Sequence, residues 1–74
     1  MSELLRRVEE LAGAYAKEQG AELSINYDEE TQSLDVVMHT PNHMTGVYYR
    51  QEDWEAGATA EDVAAFLQKT WEEQ

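Results

Sequence analysis

Two histidines, His39 and His43, stand four residues apart, the spacing at which a helix presents two imidazoles to one metal ion. Pro41 lies between them and rules out a helix there, so the spacing loses its meaning. Asp35 and Asp53 are the remaining ligand candidates, and they form no cluster with the histidines in the sequence. Nucleophilic catalysis lacks its parts, because the chain has no cysteine and no Gly-x-Ser-x-Gly turn. Ser2, Ser24 and Ser33 fall at a helix cap, on the wet face of a strand and at a turn. Carboxylates are so abundant that any general acid–base pair can be drawn and none is singled out. A chain this short also struggles to enclose a water-free cleft. The expectation is a protein that is not an enzyme and carries no metal or cofactor.

The side chains left to consider are acids and aromatics. Acids cluster at Glu9-Glu10, Asp28-Glu29-Glu30, Glu52-Asp53 with Glu55, Glu61-Asp62 and Glu72-Glu73. Glu61 and Asp62 have a structural reason to be there, since a helix start favours negative charge. The acids at 28–30 and 52–55 have none in the sequence, and they are the candidates to converge on one edge. Carboxylates in a row imitate backbone phosphates, which recur at about 3.4 Å of helix rise per strand. Tyr48 and Trp54 are candidate anchors, because exposed aromatic rings ringed by charge are typical of interfaces. The alternative for Trp54 is that it folds over the sheet edge to complete a small core. Tyr15, Phe66 and Trp71 match helical spacing and are expected in the core.

The 74 residues make one domain, 1–74, with sixteen acids against five bases and a net charge of −11. The imbalance is uneven: residues 1–27 carry a net −2 and residues 28–74 a net −9. A field of one sign repels nucleic acid and anionic membranes and attracts basic protein surfaces. Acidity of this kind also keeps a small domain soluble. The N-terminus lacks a signal peptide's continuous apolar core, and no run approaches the length of a membrane span. The absence of cysteine suits a reducing compartment, so a cytoplasmic protein is expected.

These residues need elements to position them. Leu4, Val8, Leu11 and Tyr15 lie on one helical stripe, widened by Leu5, Ala12 and Ala16, and Gly20 is a suitable stop, so a helix is predicted over 3–19. Glu22 to Tyr27 alternates, with Leu23, Ile25 and Tyr27 on one side. Ser33 to His39 is the central strand, with Leu34, Val36 and Met38 on the same face. Residues 40–45 read as a connector, Gly46 to Gln51 as a third strand, and residues 52–58 as an acidic loop. Thr59 opens a capped helix with an apolar stripe of Val63, Phe66, Leu67, Thr70 and Trp71. The predicted class is α+β: α-β-β-β-α, with a three-stranded antiparallel meander and two helices packed on one face. Tyr48, Val37 and His39 then lie on the opposite face.

That order resembles the double-stranded-RNA-binding domain over nearly the whole chain. In that family a lysine-rich start of the second helix grips phosphates. The matching stretch here, Ala58-Thr59-Ala60-Glu61-Asp62-Val63-Ala64-Ala65, keeps the small-residue helix pattern with acids in place of lysines. The resemblance therefore implies topology, and direct RNA binding is not expected. In size, charge and lack of cysteine, and with Met1–Gln74 taken as a complete short product, the chain is also similar to the small acidic anti-CRISPR and DNA-mimic proteins of phages.

The expected function is that of a non-enzymatic acidic binding protein, with Asp28, Glu29, Glu30, Glu52, Asp53, Glu55, Glu61 and Asp62 as its charged surface and Tyr48 and Trp54 as anchors. Its partner would be a basic, nucleic-acid-binding surface of another protein, reached in the host cytoplasm if the chain is phage-encoded. The alternative is a small structural or assembly module that self-associates, as a homodimer, through the open sheet face or the edge of the third strand.

Overall fold

The computed structural model describes residues 2–73. The elements are α1 (Ser2–Glu18), β1 (Glu22–Asp28), β2 (Ser33–Thr40), β3 (His43–Tyr49), α2 (Gln51–Glu55) and α3 (Ala60–Glu72). The expected α-β-β-β-α order holds, with α2 as a short addition. The three strands form an antiparallel meander in the order β1-β2-β3, with β2 in the middle.

Alternation decides which side of the sheet is dry. Leu34, Val36 and Met38 of β2 are fully buried, and Thr45, Val47 and Tyr49 of β3 lie beside them. Leu23, Ile25 and Tyr27 continue this face onto β1 but stay half-buried, as an edge strand allows. Both long helices cover this one face. On α1 the buried seam is Val8, Ala12 and Ala16, one residue every four, flanked by the half-buried Leu4, Leu5, Leu11 and Tyr15. On α3 the seam is Ala60, Val63 and Leu67. Each fully buried Leu- or Val-sized side chain contributes about 1.5–3 kcal/mol relative to exposure. Phe66, expected in this stripe, is 49% exposed and makes a T-shaped contact with Tyr49. The seam through Val63 and Leu67 faces the sheet squarely, which leaves Phe66 on the helix flank.

The helix ends are closed by local chemistry. Gly20 adopts φ +66, and the Gly20 and Ala21 amides donate to the Lys17 and Ala16 carbonyls, the pair of hydrogen bonds that seals a helix C-terminus. Gly57 at φ +101 repeats the device after α2. Thr59 and Asp62 exchange hydrogen bonds at the start of α3, as Thr59 Oγ1 accepts from the Asp62 amide and Asp62 Oδ2 from the Thr59 amide. The cap expected from Ser2 concerns a side chain outside the described residues.

Two boundaries differ from expectation. The third strand begins at His43, three residues before Gly46, because Pro41 and Asn42 alone make the turn and the ladder resumes at once with Thr40 opposite His43. Gly46 therefore sits mid-strand opposite Val37, on the open face. The strand ends at Tyr49, and Gln51, expected at its end, together with residues 52–55, expected as loop, forms α2, whose start is held by the Arg50 amide donating to Asp53 Oδ2 at 2.8 Å.

Candidate protein-binding surface

The direction of the elements determines where the acids fall. β1 ends, β2 begins and β3 ends at the same end of the sheet. The β1–β2 turn with Asp28, Glu29 and Glu30 is therefore at that end, and α2 starts there too. The Trp54 indole N–H donates to the Gln32 carbonyl at 2.8 Å, tying α2 to the turn across 22 residues of sequence. The Trp54 ring stacks on Tyr49 with centroids 5.2 Å apart. The Tyr49 hydroxyl in turn reaches the Asp62 carbonyl at 3.4 Å, which brings the start of α3 to the same end. The helices α1 and α3 run in the same direction, since Arg7 meets Glu61 while Tyr15 meets Glu72. Acids from three separate stretches of chain are thus collected at one end of the molecule.

Several of these carboxylates already have partners. Asp28 accepts from the Glu30 amide, Asp53 from the Arg50 amide and Asp62 from the Thr59 amide. Glu55 accepts from Gln51, and Glu61 from Arg7 at 3.1 Å. Acceptance from its own backbone amide, followed by the Arg7 bond, holds the Glu61 carboxyl below the usual carboxylate range. Among the described residues no hydrogen bond or ion pair engages the carboxylates of Glu29, Glu30 or Glu52. Two of the five bases are paired among the described residues, Arg6 with Glu3 and Glu10, and Arg7 with Glu10 and with Glu61 of the collected acids, while Arg50 stands beside Tyr48 at the same end.

The two aromatic candidates take different places. Tyr48 is 54% exposed on the open face, where the Arg50 guanidinium carbon lies 5.6 Å from its ring centroid. Trp54 is half-buried and serves the fold, packing on Tyr49 and bonding Gln32, so the role of completing the core is the one it fills. The two histidines lie on opposite faces. His39 is on the open face with Nε2 3.5 Å from Glu22 Oε2, while His43 lies on the core face with its ring perpendicular to that of Trp71. Among the described residues no three ligand-type side chains gather to hold a metal ion.

A feature that sequence reasoning missed lies on the open face beside the acidic end. Asn26, Asp35 and Tyr48 are direct cross-strand neighbours in one row. With Asp28, Thr31 and Ser33 they line a shallow depression of about 410 Å³. The alternation of β1 and β2 put Asn26 and Asp35 on the wet side. The register that aligns them with Tyr48 depends on turn lengths, which the sequence left open.

Among the described residues no helix is long and apolar enough to cross a membrane. At the start of α3, where the double-stranded-RNA-binding domain carries lysines, this chain carries the capping Asp62 and the Arg7-paired Glu61. No family model, no curated protein and no solved structure matches the chain.

Proposed function

We propose that the protein is a non-enzymatic binding protein whose acidic end occupies a basic, normally nucleic-acid-binding surface of a partner protein. A phage inhibitor of a CRISPR-type defence complex is its sharpest form. One observation carries the reading: the Trp54–Gln32 hydrogen bond joins the acids of the β1–β2 turn to those of α2, and Glu29, Glu30 and Glu52 have no partner of their own among the described residues. The mechanism is competition. Long-range attraction speeds the encounter, and a few close contacts slow release.

The test is capture of a partner from the native host, followed by a nucleic-acid-binding assay on that partner. The wild-type chain is expected to displace the nucleic acid, and a Glu29→Gln/Glu30→Gln/Glu52→Gln variant to lose this activity. Those substitutions spare the caps at Asp53 and Asp62, so folding is preserved. Undiminished nucleic-acid binding in the presence of excess protein would overturn the reading.

Self-association is the second reading, favoured by an open face that carries Val37 on β2 and Gly46 with the exposed Met44 and Tyr48 on the edge strand β3. The net charge of −11 opposes it, because two copies repel each other. Sedimentation separates the two: a tight dimer supports assembly, a monomer the inhibitor.

A further inference from the structure

We infer that the depression beside Tyr48 is a receptor for one arginine side chain of the basic partner. The inference rests on the proposed binding function and deepens it, by giving the acidic end a specific pocket as well as a field.

The row Asn26–Asp35–Tyr48 supplies three complementary groups. Asp35 is half-buried, and among the described residues no hydrogen bond or ion pair engages its carboxylate. A planar guanidinium is the donor that fits both carboxylate oxygens at once. Tyr48 stands opposite Asp35, and the Arg50 guanidinium carbon, two residues further along the chain, lies 5.6 Å from its ring centroid, so a guanidinium is accommodated at this ring. Arg50 does not line the depression, so the space between the Tyr48 ring and Asp35 is left for an incoming group. Asn26 closes the row with an amide oxygen for a remaining N–H, and Asp28, with one oxygen taken by the Glu30 amide, adds negative charge at the rim. At about 410 Å³ and open to solvent, the site admits a guanidinium together with its methylene stem. Lysine brings the same charge but neither the fork nor the flat face, so the pocket discriminates between the two cations.

Oligoarginine and oligolysine peptides of equal length, titrated into the full chain and followed by its amide NMR spectrum, test this directly. The arginine peptide is expected to bind about threefold tighter or more. Its shifts should centre on Asn26, Asp35 and Tyr48. Asp35→Asn and Tyr48→Ala should each bring the two peptides to parity, and Tyr48→Phe should keep the preference. Equal, salt-sensitive binding of both peptides that is lost in the Glu29→Gln/Glu30→Gln/Glu52→Gln variant would overturn the pocket and leave the proposed function standing. An arginine preference that survives Asp35→Asn also overturns it. Absence of binding by either peptide would contradict both.

Discussion

Among the described residues Thr45 is the buried polar one, 2% exposed, and its hydroxyl finds no hydrogen-bond partner among them. A buried unsatisfied hydroxyl costs about 1–3 kcal/mol in desolvation. Thr45→Val keeps the branched shape and removes the orphan, so it should raise stability by about 1 kcal/mol and the melting temperature by about 4–8 °C. A thermal scan checks this, and a lower melting temperature would mean that the hydroxyl is satisfied. Tyr49 makes a prediction about pH. Burial first, then the Asp62 and Asp53 carboxylates, push its phenol above the ordinary value of 10.0. The fold holds that proton more firmly than the unfolded chain does. The contribution is therefore complete below the ordinary value and is lost as pH rises through the folded one. Burial and Glu72 raise Tyr15 in the same direction. Denaturant titrations on the alkaline side should show wild-type stability falling and Tyr49→Phe falling less steeply. Equal slopes would remove Tyr49 as a cause.

At the scale of elements, the smallest one is the clasp for the acidic end. A five-residue helix has no stability of its own. It persists through the Arg50–Asp53 bond at its start, Gly57 at its end and Trp54 in its middle. Trp54→Phe should lose the indole hydrogen bond at a cost of about 1 kcal/mol. Trp54→Ala should cost about 2–4 kcal/mol, because the half-buried ring goes as well. Urea unfolding measures both, and a Trp54→Ala protein as stable as wild type would deny α2 this role. Gly13 makes the opposite case. It lies mid-helix in α1, and a Cβ there meets nothing within 4 Å. Gly13→Ala should therefore add about 0.5–1 kcal/mol by the same assay.

The elements also show how much could be read from residues alone. Strict alternation made β1 visible, a run of apolar and β-branched residues between turn formers made β2 visible, and the Thr59–Asp62 pair marked the start of α3 in advance. The first residues of β3, His43 and Met44, carry little strand preference and follow Pro41-Asn42, so the ladder's return after a two-residue turn left no local trace. For α2, five residues are too few to show a helical period. Phe66 fitted the stripe by spacing, but its exposure depends on how α3 rolls against β3, a tertiary matter. The same limit applied to the surface. The acids were plain to see, while their collection at one end depends on a tryptophan and a carbonyl 22 positions apart.

At the scale of the whole molecule, sheet, turn and clasp leave two unlike ends. One gathers the acids of the β1–β2 turn, α2 and the start of α3. The other holds the Pro41–Asn42 turn and the helix C-termini. Charge arranged this way acts over a distance set by salt, about 10 Å at moderate ionic strength and about 3 Å at high. The open face adjoins the acidic end, so under the proposed function a partner drawn in by the field would meet Tyr48 and Asp35 on arrival.

The direct check is the association rate of the protein with its captured basic partner, measured by stopped flow while salt is raised about tenfold. A steered encounter predicts that the wild-type rate falls by about tenfold or more, and that the Glu29→Gln/Glu30→Gln/Glu52→Gln variant starts slower and responds less to salt. A rate indifferent to salt, or one shared by the variant and the wild type, would contradict the account.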